Sequence, residues 1–341
     1  MSKPATTAVA IVAEPPVAGF VEALQVPLVE MPELQQESGF IASRFHKEPS
    51  VSLHMIGVTG TNGKTTTSRL VAQLIRLQGK SCGVIGTLGA SLDEDVAQGG
   101  NTTPDAVSLQ QQLADWRDQG VYAASMEVSS HAMVQGRVNG VGFETAVFTN
   151  LSHDHLDYHG SMEAYLTAKL RLFTDVMAPG GQAVVNADTP YREAVLTAAT
   201  QRSHGVMTYG FEGQEVLLKS IEPVVGGQRL KIVVMGAPHE VKLPLIGAFQ
   251  ASNALCALTL ALACGEDAAA AVEIDWEPLP AASDAKDALQ PGAPLSHSNA
   301  TDNVAAKFVS QYGNADAAFV GAAHVVSRSI RHHRGGGHAL E

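Results

Sequence analysis

The sequence predicts an α/β fold: a mostly parallel sheet covered by helices, carrying a P-loop, with a β ribbon and a short α+β C-terminal fragment. Three observations predict it. From residue 53 to residue 186, short apolar runs of strand length alternate with helix-length segments of helical periodicity, the pattern of parallel strands joined by crossover helices. A glycine-rich turn stands between the first such strand and the first such helix. Between Glu215 and Leu245 the period switches to two, with Gly226 and Gly227 at a turn, which reads as a small antiparallel ribbon.

The elements follow in order. Residues 8–13 read as a strand, and residues 32–46 as a helix with Leu34, Ile41 and Phe45 inward, ended by Pro49. Residues 53–58 form an apolar strand. The helix over 64–77 buries Leu70, Val71, Leu74 and Ile75, and Gly79 ends it. Residues 82–85 are a strand, and 106–119 a helix with Val107, Leu109, Leu113 and Trp116. Strands follow at 122–128 and 145–149, a helix at 161–177 and a strand at 182–186. Residues 249–264 form one Ala/Leu-rich helix. Beyond Gly265 the texture changes: 279–298 is rich in Pro, Ala and Ser, short helices are expected at 304–312 and 315–323, and 331–338 is basic and Gly-rich.

Composition excludes several function classes. With 45% apolar residues in 341 a sizeable core is available. The formal net charge of -12 argues against a nucleic-acid or anionic-membrane binder, both of which need a basic face. Cys82, Cys256 and Cys264 are too scattered for a disulfide framework or zinc cage. The longest apolar run, residues 254–264, falls short of the roughly 20 residues that span a bilayer. Residues 8–13 are too short for a signal peptide's apolar core, so a cytoplasmic protein is expected.

The sharpest motif is Gly57-Val-Thr-Gly-Thr-Asn-Gly-Lys-Thr-Thr-Thr67. Glycines let backbone N–H groups approach phosphate oxygens, and the helix N-terminus adds partial positive charge. Gly60, Thr61, Asn62 and Gly63 would cradle the phosphates, Lys64 would reach the β- and γ-phosphates, Thr65 would ligate Mg²⁺, and Thr66 stands beside them. The usual spacing places a glycine at position 58, where this chain has Val58. Glu127, at the end of a strand, reads either as a second Mg²⁺ ligand or as a solvated strand-end carboxylate. The run Asn150-Leu-Ser-His-Asp-His-Leu-Asp-Tyr-His159 reads equally as metal or phosphate ligands and as helix-capping polar residues. By itself Lys169 reads as a surface lysine, and residues 101–105 as a helix entry.

Taken in this order, these stretches resemble the Mur ligases of peptidoglycan synthesis, nearest to their diaminopimelate-adding branch. The similarity runs over about residues 26–265. It rests on GVTGTNGKTTT, NTTPDA, MEVSSHAMVQGRV, FTNLSHDHLDYHGSMEAYLTAKLRLF and GAFQASNAL. The resemblance implies a central ATP-binding domain at 51–265, preceded at 1–50 by the remnant of a uridine-binding domain. It implies ATP and Mg²⁺ as cofactors, with Glu127 and His155 as metal ligands beside Thr65. Lys169 matches a lysine carbamylated by CO₂, which converts a cation into an anion able to hold metal. Thr102, Thr103, Ser129, Gln135 and Arg137 match positions that hold UDP-muramoyl-dipeptide, and Asn150 and Asn253 match nucleotide-side positions. Gln250 stands where the family more often has Asn. Lys64, Lys169 and His155 would be catalytic. The implied reaction is amide formation through an acyl phosphate by a cytoplasmic monomer whose partners are the UDP-muramoyl-dipeptide and an amino acid.

Two departures shape the expectation. Nothing after Gly265 matches the family's third domain, and the Asp-Asn-Pro-Arg signature for diaminopimelate is absent from the chain. Residues 266–341 instead resemble a fragment of a molybdenum hydroxylase large subunit, through Ala271-Val-Glu-Ile-Asp-Trp-Glu-Pro-Leu-Pro280 and residues 289–293, 302–306 and 315–341. The expectation is a chimeric chain that binds ATP and Mg²⁺ with little or no ligation. The alternative is a non-catalytic nucleotide-binding remnant.

Overall fold

A computed structural model describes residues 10–16, 26–92, 95–96 and 101–272. The described residues fall into two units, one ending at Ser38 and the other beginning at Gly39. In the first, β1 (Ile11–Ala13) and β2 (Leu28–Glu30) pair in parallel with Ile11 opposite Leu28. Helix α1 (Leu34–Phe45) carries the chain into the second unit. The expected inward set on α1 is corrected: Leu34 is buried, Ile41 is half-buried and Phe45 is 43% exposed. The face buried within the second unit is Gly39, Ala42 and Ser43. A Cβ on Gly39 would stand 2.1 Å from the Asn139 carbonyl oxygen, so the helix approaches too closely for an aromatic ring to intervene.

The second unit holds β3 (His54–Thr59), α2 (Lys64–Leu77), β4 (Cys82–Gly86), β5 (Gly89–Leu92), β6 (Asp95–Val96), α3 (Ala106–Asp118), β7 (Ala123–Glu127), α4 (Ser130–Val134) and β8 (Phe143–Phe148). Then come α5 (Leu156–His159), α6 (Met162–Arg171), β9 (Met177–Asn186), α7 (Arg192–Gln201), β10 (Gly205–Gly210), β11 (Val216–Val224), β12 (Gly227–Val234), β13 (Ala237–Leu243), α8 (Ala248–Ala263) and α9 (Ala268–Val272). Among the described residues of this unit the strands form one sheet in the order β13-β12-β11-β10-β9-β8-β3-β7-β4-β5-β6. It is parallel from β11 to β4 and antiparallel at both margins.

Helices cover both faces, so central strands are apolar on both sides. On one face Ile56 and Val58 meet Leu70, Val71, Leu74 and Ile75 of α2 and the apolar side of α8. On the other, Met55, Met126, Ala146 and Phe148 meet Leu109, Leu113 and Trp116 of α3, Tyr165 of α6 and Val195 of α7. The parallel strands β3, β7 and β8 therefore end together, at Thr59, Glu127 and Phe148. Their loops open on one crevice, where ligands of open α/β sheets bind.

Three further departures have local causes. The expected ribbon is the margin of the main sheet, because β11 joins β10 in parallel at Tyr209–Val216 and Gly210–Leu217. The expected helix over 161–177 stops at Arg171. Leu172–Val176 is a π turn burying Leu172 and Phe173, and Met177 already opens β9. Gly180, with φ of 75°, and Gly181, tight against the Glu144 carbonyl, permit that early strand and the shift of register between Phe143 and Thr145. Past Gly265, Glu266 is buried against Lys80 Nζ at 2.8 Å and the Tyr122 hydroxyl at 3.2 Å. Ala271 and Val272 are buried in the α8 core. The expected helices at 304–312 and 315–323, and nearly all of the stretch resembling a molybdenum hydroxylase, lie outside the described residues. Among the described residues no helix is long and apolar enough to cross a membrane.

Candidate active site

The glycine turn follows β3 directly. Val58, where a glycine was the usual choice, is fully buried inside the strand. The bend starts at Gly60, with φ of 143°, and ends at Gly63, the N-cap of α2, with φ of 85°. Both glycines are also forced by neighbours: a Cβ would lie 2.0 Å from Thr149 Oγ1 at Gly60 and 2.4 Å from Asn253 Oδ1 at Gly63. The residues leaving β8 hold the loop's shape. Thr149 Oγ1 donates to the Asn62 carbonyl at 2.8 Å. Asn150 and Asn62 exchange hydrogen bonds of 3.0 Å, from Asn62 N–H to Asn150 Oδ1 and from Asn150 Nδ2 to the Asn62 carbonyl. The Thr61 N–H donates to the Asn150 carbonyl at 2.9 Å. Asn150 thus braces the loop, and Asn253, tied to Gln250 by a 3.0 Å bond, backs it. Lys64, Thr65 and Thr66 occupy the first turn of α2.

Glu127 sits at the mouth of this loop with 1% exposure, which removes the solvated-carboxylate alternative. Thr65 Oγ1 donates to its Oε1 at 2.8 Å, and the Thr87 N–H donates to the same oxygen at 2.9 Å. Gly86 makes the room, since a Cβ there would lie 2.0 Å from Oε1. Lys169 is not a surface lysine; it is 1% exposed. Its Nζ donates to the Gly60 carbonyl at 2.7 Å and lies 4.4 Å from the centre of the Tyr165 ring. Lys64 Nζ donates to that same carbonyl at 3.0 Å and to Thr61 at 2.9 Å. Burial, then the charge of Lys64, holds the Lys169 amine well below the ordinary lysine value. Burial also lowers Lys64, opposed by Glu127 and Asp154.

His155 caps α5 with φ of 51°, an uncommon conformation for a residue with a side chain. Of the two readings open for this run, the structure shows His155 at the helix boundary. Its ring lies 6.0 Å from Tyr165 and 5.0 Å from His131. It reaches the loop through Tyr165, whose hydroxyl is 3.3 Å from Thr61 Oγ1. His159 bonds Ser130 Oγ through Nε2 at 2.9 Å. Burial and neighbouring cationic groups lower both His131 and His159, which favours neutral imidazoles.

The remaining predicted residues form a second patch beside Glu127. Thr103 Oγ1 donates to the Glu127 carbonyl at 2.8 Å and accepts from the Ser129 N–H at 3.1 Å. Arg137 donates to the Thr103 carbonyl at 2.9 Å. Thr102 Oγ1 is 3.1 Å from Thr87 Oγ1. Gln135, half-buried, ends α4. Sequence reasoning missed Thr87, Gly86, Tyr165, Thr149 and Ser152, whose N–H donates to Thr61 Oγ1 at 3.0 Å. Thr87 and Gly86 lie just past a strand already recognised, where a Gly-Thr pair after apolar residues was a usable signal.

The residues present fit a magnesium nucleotide. A hydroxyl and a carboxylate, both hard oxygen donors, stand 2.8 Å apart at a helix N-terminus beside a buried lysine. Mg²⁺ takes one or two protein oxygens and completes its shell with water and phosphate. Among the described residues no three His, Cys, Asp or Glu side chains form a metal cage.

Comparison with known proteins agrees with this geometry. Residues 58–261 match the Mur ligase middle domain. The chain is 40% identical over 266 residues to the UDP-N-acetylmuramoyl-L-alanyl-D-glutamate–2,6-diaminopimelate ligase of Geobacillus thermodenitrificans, covering 76% of this chain and 52% of that protein. It is 40% identical over 262 residues to the enzyme of the same name from Pseudomonas aeruginosa, covering 76% and 53%. A solved structure of a ligase of that name superposes with a TM-score of 0.69 at 33% identity, covering 77% of this chain and 58% of the other. The chain spans about half the length of the curated relatives it matches.

Proposed function

Because this chain belongs to the Mur ligase family, we propose that it serves ATP-dependent amide ligation in peptidoglycan precursor synthesis. In this reading it adds an amino acid, meso-diaminopimelate, to UDP-MurNAc-L-Ala-D-Glu, as a monomer in the cytoplasm. The observation that carries it is the meeting of Lys64, Thr65, Glu127 and Lys169 around the single turn Gly60–Gly63. The names of the relatives support the substrate.

The chemistry is positioning and electrostatics. The loop N–H groups and the start of α2 hold the β- and γ-phosphates. Lys64, now folded back on the Gly60 and Thr61 carbonyls, swings to the γ-phosphate. The substrate carboxylate oxygen attacks the γ-phosphorus, the bond to ADP breaks, and an acyl phosphate results. The incoming amine then attacks the acyl carbon, phosphate leaves and the amine nitrogen loses a proton. Thr65 and Glu127, with His155 and Lys169, would hold Mg²⁺, which would neutralise charge building on the phosphates. Thr102, Thr103, Ser129, Gln135 and Arg137 would hold the muramoyl-dipeptide, and Asn150 and Asn253 keep the nucleotide side in shape. Lys169 has the burial and lowered basicity that favour a neutral amine. That form takes up CO₂, making an N–C bond and releasing a proton, and the carbamate adds an anionic ligand.

The test is phosphate release from Mg·ATP with UDP-MurNAc-L-Ala-D-Glu and diaminopimelate. Release that needs both substrates and falls at least 100-fold in Lys64→Ala is the expected result. Binding of Mg·ATP without release would restrict the chain to nucleotide binding. Absence of binding would overturn the reading.

A further inference from the structure

We propose that Thr87 is a positioning residue that joins the metal-side carboxylate of Glu127 to the substrate-side turn carrying Thr102. The inference rests on the reading of Glu127 and Thr65 given above. Thr87 follows β4 and touches both halves of the site. Its N–H donates to Glu127 Oε1 at 2.9 Å, and its hydroxyl donates to Glu127 Oε2 at 3.2 Å. The same hydroxyl oxygen stands 3.1 Å from Thr102 Oγ1.

Proton counting shows how Thr87 couples the two sides. A hydroxyl has one proton and two lone pairs, and a carboxylate oxygen only accepts. Thr87 Oγ1 is the donor toward both Glu127 Oε2 and Thr102 Oγ1, so its single proton links the two acceptors, with the carboxylate the stronger of them. Thr65 obeys the same rule: its proton is on Glu127 Oε1, which leaves lone pairs for a cation. Glu127 accordingly polarises a hydroxyl on the nucleotide side and, through Thr87, one on the peptide side. Gly86 keeps the arrangement open, since any Cβ there collides with the carboxylate.

The experiment uses the full chain and reads binding, not turnover. Affinity for Mn·ATP is measured by electron paramagnetic resonance, and affinity for UDP-MurNAc-L-Ala-D-Glu by calorimetry with and without Mn·ATP. The variants are Thr87→Val, Thr87→Ser, Thr102→Val and the double variant Thr87→Val/Thr102→Val. Loss of a hydrogen bond to a charged group should weaken Mn·ATP roughly tenfold in Thr87→Val, with rescue to within about twofold in Thr87→Ser. The two valine changes should be non-additive for the peptide ligand, because each breaks the same chain. Unchanged Mn·ATP affinity in Thr87→Val, or strict additivity with Thr102→Val, would overturn the proposal while leaving the nucleotide site standing. If Thr87→Val does not fold, Thr102→Val decides alone: an unchanged affinity for the peptide ligand overturns the proposal. Failure of the unaltered chain to bind Mn·ATP would remove the underlying reading and the proposal with it.

Discussion

Lys169 shows how far a residue's surroundings can change its chemistry. A lysine in a helix is normally solvated, yet this one is buried against the Gly60 carbonyl with a second lysine on the same oxygen. Its folded-state basicity is well below the unfolded value. The unfolded chain therefore binds the extra proton over the window between the two, and stability rises with pH across it. Chemical denaturation from neutral pH upward should show this rise in the unmodified protein, and Lys169→Met should lack it. Gly86→Ala gives a second test at this scale. The new methyl would displace the Glu127 carboxylate, so Mg·ATP affinity should fall by about tenfold and stability by about 1–3 kcal/mol; calorimetry and urea unfolding read the two. Glycine spacing made the loop legible in the sequence, because few folds need Gly60, Gly63 and Lys64 together. The burial of Lys169 and the brace from Asn150 were not legible without the family resemblance, since neither follows from a local pattern.

Among the elements, α2 and α8 were readable because their apolar positions repeat at helical spacing over three or more turns. Helix α1 was misread by the same rule. Its large apolar residues Phe40 and Phe45 face outward, 48% and 43% exposed, while its small ones carry the packing. The contrast is testable by urea unfolding: Gly39→Ala should cost about 1–3 kcal/mol through collision with Asn139, and Phe45→Ala should stay within about 0.5 kcal/mol. Equal costs would mean that the close approach is wrong. Helix α7 and strand β10 escaped prediction because Thr and Ala dilute the periodicity of residues 192–201, and glycines bound residues 205–210 on both sides.

For the molecule as a whole, the sheet's register sets the carboxyl ends of β3, β7 and β8 side by side, which brings the turn Gly60–Gly63, Thr65, Glu127 and Asn150 into one hydrogen-bonded neighbourhood, with Thr102 and Thr103 joined to it through Thr87 and Glu127. At the opposite end of those strands, the buried Glu266 ties the residues after α8 to Lys80 and Tyr122. Lys80→Met should cost about 1–3 kcal/mol by leaving that buried carboxylate with only the Tyr122 hydroxyl, more than Glu212→Gln at the exposed pair with Arg192. This continuity past Gly265 was not legible in a sequence whose texture changes there. The central claim, that one turn gathers a lysine, a hydroxyl and a carboxylate for a magnesium nucleotide, is tested most directly by calorimetry of ATP binding to the full chain with and without Mg²⁺. A single site that strengthens with Mg²⁺, and loses that dependence in Glu127→Gln and Thr65→Ala while Lys64→Ala abolishes binding, is the expected result. Binding indifferent to Mg²⁺ and to these three changes would contradict it.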